Sequence, residues 1–176
     1  MDLLMSPDKI LARYSSDNTT LRELIQNADD ANATSVKIHY LTLSEFRVPL
    51  ENLCSTPCVR LNVTNNGIPF RNEDWKRLKR IAEGNPDEGK IGAFGVGFYS
   101  VFSISEDPFV SSGDQCMAFF WQNDQLFVRT RTLLQEDPTT TFMLNMRNPT
   151  EVPNLVCLAF RNSNRSLNSV NFSRQV

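Results

Sequence analysis

The order of helical and strand-like periods along the chain predicts an α+β domain, with helices layered on one face of a mixed, mostly antiparallel sheet. Three features carry this. The stretch LRELIQNADDANA repeats apolar residues at helical spacing. SVKIHYLTL and VRLNVTNNG alternate apolar and polar residues as half-buried strands do. Several further strand-like runs follow a glycine-rich segment.

Taken in order, Pro7 to Tyr14 reads as a short first helix, with Ser6 as its cap and Pro7 in its first turn. A second helix begins after Asn18, Thr19 and Thr20, which offer caps. It places Leu21, Leu24, Ile25, Ala28 and Ala31 on one face and Glu23, Asn27 and Asp30 on another. Val36, Ile38 and Tyr40 form the apolar phase of one strand, and Val59, Leu61 and Val63 that of the next. Between them SEFRVPLENLCSTPC holds two prolines and no period, so it reads as a connection. NEDWKRLKRIAEG is a third helix, with Trp75, Leu78 and Ile81 on a stripe and Lys76, Arg77, Lys79 and Arg80 making a basic side. The runs MAFFWQNDQLFVRTRTLL and TTTFMLNM predict a hairpin turning at Asn123-Asp124 and one more strand. The domain is expected to span residues 1–152, leaving 153–176 as an irregular tail, truncated or disordered.

Composition narrows the function. The chain has 176 residues, 40% hydrophobic and 22% charged, enough for one ordinary core. A net charge of −2 gives no global attraction for nucleic acid, so a phosphate site has to be built locally. Four scattered cysteines and the single His39 do not make a zinc set and read as reduced thiols. The beginning is unlike a secretory signal, and no stretch reaches the roughly 20 apolar residues of a membrane span. The expected compartment is the cytoplasm, with the nucleus as the other choice.

Three segments carry chemistry. On the second helix, Glu23 and Asn27 are four residues apart and Asp30 three further on, so one face offers a carboxylate, an amide and a second carboxylate. Mg²⁺ keeps several waters and takes one or two protein oxygens beside those of phosphates, which suits the Asn27 carbonyl. Glu23, one turn earlier, is placed to polarise a water. By itself the same face reads more readily as a solvated polar surface opposite a packed one. Next, Gly92, Phe94, Gly95, Val96, Gly97 and Phe98 belong to a run with three glycines in six residues that leads into FYSVF, which reads as the start of a helix; such a run lets backbone N–H groups approach a phosphate, although tight turns use the same residues. It is not a P-loop, since no Gly-Lys-Ser/Thr follows. Finally, Asn65 and Gly67 end a strand, where an amide can read a base edge or simply make an Asn-Asn-Gly turn. Lys90 is a weaker phosphate candidate.

Together, ELIQNADDA, the asparagine turn and GKIGAFGVGFYSVF resemble the GHKL superfamily of ATPases, whose fold is the Bergerat two-layer α/β sandwich. They are most similar to the ninety-kilodalton heat-shock chaperones and, in wording and spacing, to the sacsin and NO VEIN branch, which includes large fungal proteins. The resemblance implies ATP and Mg²⁺ as ligands, Glu23 as general base, Asn27 as the magnesium residue and Asp30 as a pocket residue. It makes Gly92, Gly95, Val96, Gly97 and Phe98 the phosphate loop, Thr141 the threonine supporting adenine through a water, and residues 81–90 a shortened lid. Two positions depart from the chaperone pattern: Asn65 replaces an aspartate that accepts from the adenine amino group, and Pro69 replaces a glycine.

The function expected is Mg·ATP binding with slow hydrolysis by a chaperone-like module of a larger protein, its partners being other domains or a client. The family's catalytic arginine comes from a following domain, so turnover by this chain alone is expected to be weak. The alternative is a non-enzymatic scaffold with a degenerate nucleotide site.

Overall fold

The computed structural model describes residues 17–42, 57–82, 97–151 and 169–175. The elements are α1 (Asp17–Asp30), β1 (Ser35–Thr42), β2 (Pro57–Asn65), α2 (Asn72–Ala82), a 3-10 helix η1 (Gly97–Ser103), β3 (Phe109–Gln122), β4 (Gln125–Glu151) and β5 (Ser169–Gln175). The five strands form one sheet in the order β3-β4-β2-β1-β5. Its first four strands pair antiparallel and β5 pairs parallel to β1, so the fold is α+β with a mixed, mostly antiparallel sheet. No described helix is long and apolar enough to cross a membrane. The short helix expected at residues 7–14 and the connection at 43–56 lie outside the described residues.

Helix α1 buries Leu21, Leu24, Ile25 and Ala28, the stripe its period demands. It starts earlier than the hydroxyl residues suggested. Thr20 lies inside it and is buried, its hydroxyl donating to the Ser100 carbonyl at 2.7 Å, so this threonine ties α1 to η1 instead of capping the helix. The C-terminus closes as a Schellman motif: Ala33 N–H donates to Ala28 O at 2.9 Å and Asn32 N–H to Asp29 O at 2.9 Å, with Asn32 at φ 57°. Asparagine tolerates this left-handed conformation better than most residues because its short polar side chain bonds locally. In α2, Asp74 accepts the Arg71 N–H at 2.9 Å, half of a capping box, and also pairs with Arg77 at 3.1 Å. Trp75 and Leu78 are buried there.

The sheet's inner face is built in rows. Ile38, Val63, Phe142 and Val110 lie in register across four strands, and all are buried. Phe98 of η1 packs over this row, its ring centroid 6.2 Å from Phe142 and 5.1 Å from Phe119, and Phe102 packs beside Phe98 and against Phe119. A register shift between Cys58 and Arg60 changes the phase of β2, so Cys58 enters the core in place of the expected Val59, which is half-buried. The Asn123-Asp124 hairpin is present, both residues having positive φ, and the further strand is continuous with its second arm in β4. Part of the stretch 153–176, expected to be irregular, forms β5 against β1.

Burial also marks one tyrosine. The Tyr40 hydroxyl is buried with no hydrogen-bond partner, and desolvation, with the Cys58 thiol nearby, pushes its pKa up to about 12. A pKa above the ordinary 10 stabilises the fold below that ordinary value, and the contribution is lost as pH rises from about 10 through 12. Tyr40→Phe is therefore expected to raise stability by about 1 kcal/mol, because it removes an unpaired buried hydroxyl. It should also flatten the loss between pH 10 and 12, as read by chemical denaturation across that range.

Candidate functional site

At the end of the apolar rows the sheet's inner face turns polar. Val36, Asn65, Thr140 and Ser112 form the next row in register, and three of these four buried residues carry hydrogen-bonding side chains. Ser112 and Thr140 share a hydrogen bond of 2.6 Å, and Ser112 Oγ accepts the Phe70 N–H at 2.8 Å. Asn65 Oδ1 accepts the Gly67 N–H at 3.0 Å, closing a turn over the row. The following Asn66 clamps this turn to the α1–β1 loop, accepting from Thr34 N–H and Ser35 N–H at 3.0 and 2.9 Å and donating to Thr34 Oγ1 at 2.9 Å.

Helix α1 runs alongside. Glu23, Asn27 and Ala31 follow one another at four-residue intervals, so they make one line along the helix and its last turn. Both ends of the line are met by glycine. At one end, Ile68 N–H donates to Ala31 O at 2.8 Å, and a Cβ on Gly67 would stand 2.8 Å from both Ala31 Cβ and Ala31 O. Only glycine permits that approach of two backbones. At the other end, a Cβ on Gly97 would run into the Glu23 carboxylate Oε2. Between them, the Asn27 amide Nδ2 is buried with no hydrogen-bond partner. An unpaired buried amide N–H group costs about 1–3 kcal/mol, a cost that a hydrogen-bond acceptor at this point would remove.

The Glu23 side chain retains 23% of its surface and lies 3.4 Å from Arg22, whose own side chain is 62% exposed, so the pair contributes under about 1 kcal/mol and leaves the carboxylate accessible to water. Gly97→Ala follows as a test. The methyl group must displace the flexible end of Glu23, which costs little stability, so the expected result is a melting temperature within about 3 °C of the parent, with any hydrolytic turnover reduced about tenfold or more.

Several residues expected at the site are brought together here: Glu23, Asn27, Asn65, Gly67 and Gly97. Asp30 shares the polar side of α1 but is exposed at its end. The Phe98 side chain is fully buried in the aromatic core, so its part in a phosphate loop falls to its backbone N–H. The helix after the glycines is a seven-residue 3-10 helix, too short to lend much macrodipole, so a phosphate cradle there rests on individual N–H groups. Thr141 is corrected. It pairs with Thr64, bonded to it at 2.9 Å on the outer face of the sheet, whereas Thr140 lies beside Asn65. The signal was in the strand's phase: Thr140 shares it with buried Phe142 and Leu144, and Thr141 does not. Ser112 was missed because nothing local distinguishes it. Lys90, Gly92, Phe94, Gly95 and Val96 lie outside the described residues.

Residues 2–131 match the family model described as the Sacsin domain. Human sacsin is 42% identical over 113 residues, covering 60% of this chain and 2% of sacsin. The chaperone protein HtpG of Sulfurovum sp. is 33% identical over 114 residues, covering 53% of this chain and 18% of that protein. HtpG of Campylobacter jejuni is 27% identical over 157 residues, covering 76% of this chain and 25% of its own length. The chain thus spans a quarter or less of these relatives, corresponding to one module of much longer proteins. With the family model matching most of the sequence, the chain belongs to the sacsin domain family.

Proposed function

We propose that the chain binds a magnesium nucleoside triphosphate, ATP by the resemblance, between α1 and the polar row at the end of the sheet, and hydrolyses it slowly as part of a chaperone-like protein. The observation that carries this is the Glu23–Asn27–Ala31 line, with glycine in close approach at both ends and an unpartnered buried amide between them. These residues fit the group. Asn27 would hold the cation through its amide oxygen, leaving its unpartnered Nδ2 to donate to an acceptor oxygen, and the cation would supply charge neutralisation to the phosphates. Glu23, one turn away, holds a water and accepts its proton. Gly97 would let backbone N–H groups reach the phosphates, and the resemblance assigns the same role to Gly92, Gly95 and Val96. Asp30 orders solvent at the mouth of the site, and Asn65, Thr140 and Ser112 form its base end.

Hydrolysis is slow in this reading because a cationic side chain from a neighbouring domain completes the charge stabilisation. Calorimetric titration with nucleotide separates this function from a non-enzymatic scaffold. Saturable heat that requires Mg²⁺ is expected, accompanied by a thermal shift: ligand at a hundredfold its Kd adds about 2.7 kcal/mol of stability. No heat and no shift at millimolar nucleotide would establish the scaffold.

A further inference from the structure

The base end of the site differs in hydrogen-bond polarity from one built on a carboxylate, and the structure fixes that difference. A backbone N–H is met only by an oxygen, so the Gly67 N–H at 3.0 Å determines which way the Asn65 amide is turned. The same oxygen lies 3.0 Å from the Cβ position of Gly67, which in turn abuts Ala31, so it is tucked under the turn. What Asn65 has left for a ligand is its NH₂ group. Beside it, Thr140 and Ser112 own two hydroxyl hydrogens and spend one on their mutual 2.6 Å bond, leaving one more donor. An aspartate here would hold Gly67 with one oxygen and offer the second as an acceptor. Asparagine offers a donor in that place.

Resting on the reading of this pocket as a nucleotide site, we propose that it selects a 6-oxopurine nucleotide over an adenine nucleotide, with the Asn65 Nδ2 donating to the ring's carbonyl. With the base seated so that its 6-substituent meets Asn65 Nδ2, adenine sets an amino group against a donor. Both go unpaired unless the ring shifts to offer N1 or N7, a mismatch that discriminates by up to orders of magnitude where it is not relieved. Guanine and hypoxanthine present an oxygen that matches.

The test is titration of the full chain, in Mg²⁺, with ATP, GTP, ITP and inorganic tripolyphosphate. Expected is GTP and ITP binding at least about tenfold tighter than ATP, with ITP showing that the carbonyl suffices without the guanine amino group. Asn65→Asp, which restores a second acceptor while still holding Gly67 N–H, is expected to reverse the ATP to ITP ratio. The wild-type ratio stands by itself if that variant does not fold. ATP binding as tightly as ITP, or a ratio unmoved by Asn65→Asp, overturns base selection and leaves the nucleotide site standing. Failure of every nucleotide and of tripolyphosphate to bind overturns both.

Discussion

Replacing Phe142 with alanine is expected to lower stability by about 3–5 kcal/mol, the largest loss from any single substitution considered. Phe142 is 1% exposed, sits between Val63 and Val110 in its row, and has the Phe70 and Phe98 rings 6.2 Å away on the helical side. The alanine leaves a ring-sized void that flanking strands, fixed by their ladders, cannot close. Against a total stability of about 5–15 kcal/mol, this loss should lower the melting temperature by roughly 6–20 °C. Phe142→Leu, which keeps most of the volume, should cost markedly less, and equal melting temperatures for the two variants would contradict the cavity explanation. Because Phe142 is two residues from Thr140, the alanine variant should also weaken ligand binding at temperatures where it remains folded.

The second large effect is chemical. Glu23→Gln keeps the volume against Gly97 but removes the group able to take a proton, so turnover should fall by about 10²–10⁴-fold while nucleotide affinity stays within a few-fold. Stability should hardly change, since the Arg22 partner is exposed and the pair contributes little. Single-turnover hydrolysis alongside equilibrium binding separates these quantities. Undiminished turnover would remove Glu23 from the role of base, and a parallel collapse of binding would make it a positioning residue.

Helices and most strands were legible because their apolar residues recur at fixed periods: the α1 stripe of Leu21, Leu24, Ile25 and Ala28 is buried as its spacing requires. The line of Glu23 and Asn27 was legible for the same geometric reason. Non-local features were not. Thr20 looks like a helix cap because a hydroxyl precedes an apolar run, and its actual partner, Ser100, is 80 residues away. Ser112 acquires meaning only when β3 and β4 align it with Thr140 and Asn65. Residues 169–175 carry a brief alternation of Val170 and Phe172, too short to stand out, and become a strand through parallel pairing with β1 from the opposite part of the chain. Thr141 was misplaced for a different reason: the strand's own alternation already assigned Thr140 to the inner face.

The proposed function puts a magnesium-bound triphosphate at Asn27, whose buried amide Nδ2 has no hydrogen-bond partner. Titrating Mg²⁺ with nucleoside triphosphate into the parent chain and into Asn27→Ala, and recording heat and thermal shift together, tests it most directly. The expected result is saturable, Mg²⁺-dependent binding to the parent and at least about a tenfold loss in the variant, whose fold is preserved or slightly stabilised because an unpaired amide is gone. Equal binding by both proteins, or binding indifferent to Mg²⁺, would contradict it.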